Sequence, residues 1–239
     1  MNYQITMRAA VKKKTKAGRT YAGQSPEERR KARRADLLRA GFALFGGKGY
    51  ASTTVEQICK RAGVIPRYFY ESFESREALL TEVFTSIVED AEAAVLNAIS
   101  SAPSAPLARA SAVLGAFVHS YLDDPRRARI VCMEVGGVSP TLERLRWTEM
   151  RRFAHVIELE CERLAIEGVL PKRSFRMGAV ALAGATNQLM IDWLSQRERP
   201  PVEAVHAEVV LLFASVLEGL SPALARLSAL PSVREGLVA

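Results

Sequence analysis

The chain has 239 residues, 49% of them hydrophobic and 25% charged, with a formal net charge of +7. That is the balance of an ordinary globular protein long enough to bury its own core, and it excludes a wholly disordered chain and a fibrous repeat. No apolar run approaches the ~18 residues of a membrane span, no apolar leader follows the basic N-terminus, and the three scattered cysteines (Cys59, Cys132, Cys161) suit a reducing cytoplasm rather than a disulfide framework.

Charge is unevenly spread. Residues 1–76 carry 17 Lys/Arg and 6 Asp/Glu, a net of +11, whereas residues 77–239 carry 16 and 20, a net of −4. A basic N-terminal part that meets a polyanion is the functional reading, and a solvated basic tail is the alternative. Residues 1–24, with Lys12-Lys13-Lys14, Lys16 and Arg19, read as a disordered basic tail, an arm along a phosphate backbone or a solvated leader. Met7 is a second candidate start.

The first helix opens at Ser25-Pro26-Glu27-Glu28, which supplies a cap, a proline at the first helical position and a capping-box glutamate. Leu37, Leu38, Gly41, Phe42 and Phe45 recur at helical spacing, and Gly46-Gly47 is the expected stop. A second helix starts from the capping box Thr53-Thr54-Val55-Glu56 and stops at Ala62-Gly63; a third, short one begins at Pro66. Ser75 opens a long helix to about Ser100, with Leu79, Leu80, Val83, Phe84, Ile87, Val88, Ala91 and Val95 as its apolar stripe. Beyond a Pro/Ser/Ala hinge, helices are expected near 105–122, 125–134, 140–167, 174–196 and 201–219, with a further short one near 222–229. No segment shows bounded period-2 alternation, so the chain reads as all-α. Its divisions are the tail 1–24, a helix-turn-helix unit 25–74, a helical bundle 75–221 and a C-terminal tail 222–239.

Two short helices joined through Gly63 make a helix-turn-helix pattern. The surrounding string is more specific: Phe45-Gly46-Gly47-Lys48-Gly49-Tyr50, Thr53-Thr54-Val55-Glu56-Gln57-Ile58, Ala62-Gly63-Val64, Tyr70, Phe73 and Ser75-Arg76-Glu77-Ala78-Leu79-Leu80. From about Arg30 to Val83 it closely resembles the DNA-binding domain of the TetR family of bacterial transcriptional regulators. The resemblance implies a second helix lying in the major groove of double-stranded operator DNA. It implies that Thr54 and Lys48 lie by the backbone, that Arg67 and Tyr68 face base edges, and that Tyr70, Ser72 and Arg76 bind phosphates. Phe42, Phe45, Ile58, Val64, Phe69 and Phe73 match core positions. Two positions depart from the family pattern. Ile65 stands where a capping serine or threonine is usual, at a cost of ~1 kcal/mol, and Tyr68 replaces a small residue on the recognition helix.

The resemblance also implies a second half that binds an effector and pairs subunits. The two last long helices are the expected homodimer face, through Ala181 and Ala185 and through Val205, Val209, Leu212, Phe213 and Val216; the alternative is that these stripes face only the chain's own core. Phe84, Phe117, Tyr121, Met133, Trp147, Met150, Phe153 and Met190 are candidates to line an effector cavity, and Asn187 interrupts an apolar run where a buried amide needs a partner. The paucity of charge in that set suggests an apolar or amphipathic small molecule. The expectation is a ligand-responsive regulator, a repressor released from a near-palindromic operator.

Three other readings compete. An enzyme finds little support: His119, His155 and His206 are scattered, Glu203-x-x-His206 is at most half of a di-iron motif, and neither a nucleophile elbow nor a phosphate loop is present, so neither metal nor cofactor is implied. A redox-responsive regulator would act through Cys132 or Cys161. A basic membrane-surface or interaction module would use the tail but leaves the Thr53–Leu80 string unexplained.

Overall fold

The computed structural model describes residues 25–219. Among them the chain forms nine α-helices and one π-helical turn. Caps and prolines start the helices close to where the sequence places them. α1 (Pro26–Lys48) begins with Ser25 and Glu28 closing a capping box. α2 (Val55–Ala62) has its box at Thr54 and Gln57, one residue later than the expected Thr53 and Glu56, because Thr53 is buried with its hydroxyl donating to the Gly49 carbonyl. Gly63 comes next at φ 68, the left-handed geometry that ends α2 and turns the chain into α3 (Pro66–Tyr70). Ile65, ahead of α3, makes no side-chain cap.

α4 (Arg76–Ser101) is capped by Ser75, and α5 (Pro106–Leu122) lies along it. α6 (Pro125–Arg129) is capped by Asp124, and α7 (Pro140–Ile166) by Ser139. α8 (Arg176–Ser195) packs on α7, and α9 (Val202–Gly219) packs chiefly on α5. The basic tail 1–24 and the short helix expected near 222–229 lie outside the described residues.

Three boundaries differ from the sequence reading. α1 runs through Gly46-Gly47 to Lys48, and the break is made by Gly49 at φ 95. Gly46 is needed for proximity instead, since it lies against α6. The helix expected over 125–134 is α-helical only to Arg129, and Ile130–Glu134 widens into a π-helical turn. α8 starts at Arg176, because Phe175 is buried in the core as the preceding residue.

One hydrophobic core runs through both parts of the chain. Leu37, Phe45, Ile58, Phe69 and Phe73 fill the N-terminal unit, and Leu79, Leu80, Val83 and Phe84 of α4 carry the core into the bundle. Phe42 and Val64, expected inside, are partly buried against it. A continuous core of this kind means that the two units are mechanically joined rather than linked by a free tether.

Candidate nucleic-acid interface and interior cavity

α3 is a five-residue helix, too short to stand alone. It is held by Phe69, which is fully buried between the rings of Tyr70 and Phe73, at centroid distances of 5.3 and 5.9 Å. The opposite face points to solvent. The Arg67 side chain is 80% exposed and pairs along the helix with Glu71 at 3.0 Å. Tyr70 is 61% exposed. Arg67 and Tyr70 therefore stand together on an outward face, fixed from behind by aromatic packing.

The remaining DNA-contact candidates are distributed differently. Thr54 is exposed and engaged in the α2 cap. Lys48 is exposed, its ammonium donating to the Gln57 side chain. Ser72 is half-buried behind α3. Tyr68 does not project freely: it is half-buried, with the Arg33 guanidinium 4.1 Å above its ring. Arg76 turns inward, donating to the Thr53 carbonyl and lying 4.1 Å over the ring of Tyr50. Its charge is committed to the protein in this structure. Nothing in the sequence singles out Arg33, because only tertiary packing brings α1 alongside α3.

A cavity of ≈ 130 Å³ lies in the bundle, walled by α4, α5, the π-helical turn, α7 and α8. That is close to the ~150 Å³ of an engineered cavity that takes benzene. Seven of the candidates line it: Phe84, Phe117, Tyr121, Met150, Phe153, Asn187 and Met190. Phe117 stacks on Phe153 at 3.7 Å to form one wall. Trp147 and Met133 do not line it; they are 53% and 48% exposed. Trp147 is roughly 120° round α7 from Phe153 at ~100° per residue, and Met133 turns outward from the π-helical turn while its neighbour Cys132 turns in.

The charged part of the lining escapes the sequence reading; it comprises Glu92, Arg146, Glu149 and Arg152, so the cavity is richer in charge than the sequence candidates suggest. Arg146, Glu149, Met150 and Phe153 recur at helical spacing, so Met150 is the signal for that face. Burial pushes the Glu149 carboxyl above its ordinary range; Arg152 opposes the shift and Glu92 adds to it. Burial likewise raises the Tyr121 phenol, and neither its hydroxyl nor the Asn187 amide has a side-chain hydrogen bond among the described residues.

Glu149 gives a test in pH. A carboxyl with a raised folded pKa is penalised while charged, and the penalty fades as pH falls through that pKa. Glu149→Gln is therefore expected to raise the urea midpoint at about pH 7 and to lose that advantage by about pH 4. An advantage that persists unchanged at the lower pH would mean that packing, not charge burial, is responsible.

The cysteines do not suit a thiolate sensor. Burial holds Cys132 up at about 12 and Cys161 at about 11, so both thiols stay protonated near neutrality. The redox reading is not favoured. His206 makes no pair with Glu203; it packs on Gly115 and hydrogen-bonds the Ser111 carbonyl at 2.9 Å.

The residues expected at a dimer face divide between the core and the surface. Val205, Val209 and Phe213 are buried in the chain's own core, because α9 turns that stripe toward α5. Ala181 is exposed, and Ala185, Leu212 and Val216 are half-buried. The outward face of α8 and α9 is instead carried by Met177, Val180, Ala181, Gly184 and Leu211.

Comparison with known proteins agrees with this geometry. Residues 37–83, which span the end of α1 through α3 and the start of α4, match the family described as bacterial regulatory proteins, tetR family. Residues 37–83 thus carry the DNA-binding domain that this family shares. The chain is 28% identical over 123 residues to the HTH-type transcriptional regulator EthR of Mycolicibacterium smegmatis, covering 52% of this chain and 55% of that protein. It is 33% identical over 58 residues to the HTH-type transcriptional repressor KstR2 of Rhodococcus jostii, covering 24% of this chain and 28% of that one. The matches thus span about half and about a quarter of these relatives' lengths. Among solved structures, the regulator FadR from Bacillus subtilis in complex with stearoyl-CoA superposes with a TM-score of 0.66 at 16% identity, covering 76% of this chain and 97% of that chain. At that identity the likeness is one of fold. No helix of the described residues is long and apolar enough to cross a membrane.

Proposed function

We propose that the chain is a homodimeric, ligand-responsive transcriptional regulator, a repressor that binds a near-palindromic operator through α3. The observation that carries this reading is the outward pairing of Arg67 and Tyr70 on a short helix whose back is locked by Phe69. A cation and a hydroxyl on a rigid helix suit a base edge and a phosphate. Thr54, Lys48 and Ser72 flank the same surface, and Tyr68 contributes through the Arg33 charge above its ring. Arg76 serves the phosphate backbone only if it leaves Thr53.

The apolar face left open on α8 and α9 supports pairing of two copies about a twofold axis. Two recognition helices then meet successive major grooves ~34–36 Å apart. The cavity supports an apolar or amphipathic effector. Its aromatic wall takes the apolar body, and Tyr121 and Asn187 offer hydrogen bonds to a polar group. The B. subtilis FadR structure holds stearoyl-CoA, a ligand of that broad character. A body longer than a single ring requires this cavity to open, which ties effector binding to movement of α4 and hence of α3. Coupling of ~1–3 kcal/mol changes operator affinity ~5–150-fold.

The test is binding of the purified dimer to DNA from the intergenic regions beside its own gene, with competitor DNA present and salt varied. Tyr70→Ala is expected to weaken binding ~10-fold with the dimer intact, since Tyr70 is largely exposed. Contact with ~8 phosphates gives a slope of log K against log salt of about −7. Salt-independent binding, or binding indifferent to Tyr70, would overturn the assignment of α3 as the reading element.

A further inference from the structure

The stretch from α6 through the π-helical turn touches both working parts of the molecule. Val131 and Cys132 face the cavity. Two residues on, Glu134 reaches the loop after α1. Its carboxylate accepts the Tyr50 N–H at 2.7 Å on one oxygen and the Arg129 Nε at 2.8 Å on the other. Arg129 in turn donates to the Gly47 carbonyl at 2.9 Å. The fit is close: a Cβ on Gly49 would lie 3.0 Å from the Glu134 carboxylate. From Tyr50 the contacts continue into the helix-turn-helix. Thr53 donates its N–H to the Tyr50 carbonyl at 3.1 Å and its hydroxyl to the Gly49 carbonyl at 2.7 Å, and the next residue, Thr54, caps α2.

We propose that Glu134, with Arg129, is the positioning latch through which the state of the cavity sets the aim of α3. This rests on the reading of α3 as the DNA-binding helix. The π-helical turn is the switching element. Such a turn holds about one residue more than an α-helical turn and occurs mostly as a single interruption, often at functional sites. An occupant that displaces Val131 and Cys132 shifts the turn toward the α-helical register. A shift of one residue rotates the next side chains by roughly 100°. The Glu134 carboxylate then leaves the Tyr50 amide, the loop 47–53 loses its anchor, and the α2 cap and α3 are free to reorient. Two discrete hydrogen-bond registers biased by one ligand form a bistable element of the kind that coupling requires.

The test uses the full chain with four substitutions. Cys132→Phe fills the cavity in place of an occupant, and Cys132→Met does so more gently should the larger side chain impair folding. Glu134→Ala removes the latch, and Glu134→Gln keeps an acceptor for Tyr50 while losing the charge that holds Arg129. Amide hydrogen exchange is followed in the peptide containing Tyr50, and affinity is measured for an operator fragment from the intergenic DNA. Cys132→Phe and Glu134→Ala are each expected to speed Tyr50 exchange and to weaken DNA binding ~10-fold, within the usual range of coupling. Glu134→Gln falls between wild type and alanine. The double variant Cys132→Phe/Glu134→Ala is no weaker than either single one, because both act through one contact. Wild-type Tyr50 exchange in both Cys132 variants, or effects that multiply to ~100-fold in the double variant, overturns the latch. Absence of DNA binding by the wild-type chain instead overturns the DNA-binding reading, and the exchange measurement still decides the latch.

Discussion

Phe69→Ala is expected to disable the recognition helix while leaving the bundle folded. Phe69 is fully buried and is the one side chain of α3 that faces the core. Truncating a buried phenylalanine costs ~3–5 kcal/mol, a large fraction of a whole domain's ~5–15 kcal/mol. A helix of five residues has no reserve of its own, since even ~12-residue helices are marginal in isolation. Both tryptophans, Trp147 and Trp193, lie in α7 and α8. Tryptophan fluorescence therefore follows the bundle, whereas far-UV ellipticity follows every helix. In urea the variant should lose part of its ellipticity before its fluorescence changes, and its DNA affinity should fall more than ~100-fold, the equivalent of about 3 kcal/mol. Coincident transitions at the wild-type midpoint would show that α3 is held by something other than this ring.

The second large effect is expected at Gly46. A Cβ there would stand 2.4 Å from the Arg126 Cβ and 3.0 Å from the Arg126 Cα and carbonyl oxygen. Two of those three atoms are backbone, so α1 must move off α6 for the methyl to fit. Gly41, also within α1, meets only side-chain atoms, the Leu79 Cδ2 at 2.9 Å and Cγ at 3.1 Å and the Phe45 ring at 3.3 Å, so no backbone has to move. Alanine gains up to ~1 kcal/mol over glycine within a helix, while overpacking costs ~1–3 kcal/mol. Gly41→Ala should thus be close to neutral, and Gly46→Ala should destabilise by ~1–3 kcal/mol and weaken operator binding by shifting the contact between α1 and α6. Urea midpoints for the pair decide it: equal midpoints would mean that α6 yields easily and does not fix the helix-turn-helix against the bundle.

Local chemistry accounts for the parts of the fold that are legible in the sequence. Ser25, Ser75, Asp124 and Ser139 announce helix starts because a short side-chain oxygen satisfies free N–H groups within three residues, and the Thr53-Thr54 pair announces the start of α2 to within one residue. Gly63 announces the turn because its left-handed φ excludes most other residues. The string from Phe45 to Leu80 carries the family resemblance for the same reason: its caps, turn and core positions are near neighbours in sequence. Part of the cavity is legible too, since Phe84, Phe117, Tyr121, Met150 and Met190 are apolar groups on helices that must bury one face.

The features that the sequence hides share a physical cause. Val205, Val209 and Phe213 form an apolar stripe that is equally satisfied by α5 or by a second copy, and periodicity does not distinguish the two. Trp147 and Met133 look like cavity residues by type, but a rotation of the helix surface decides which residue of a neighbouring pair points inward. Arg76 suits a phosphate because it sits at a helix start, yet Thr53 and Tyr50, more than twenty residues earlier, already hold it.

The order of residues alone is enough for the all-helical class, the helix starts and the family resemblance of the helix-turn-helix, all of which depend on interactions within a few residues or on one aromatic-rich string. Packing in three dimensions settles which face of α9 is core, that Arg33 covers Tyr68, that the turn at Ile130–Glu134 is π-helical, and that Glu134 joins the cavity wall to Tyr50. Most of those contacts span tens of residues. Their energies depend on which surfaces the folded chain brings together, and no local pattern of residues encodes that choice.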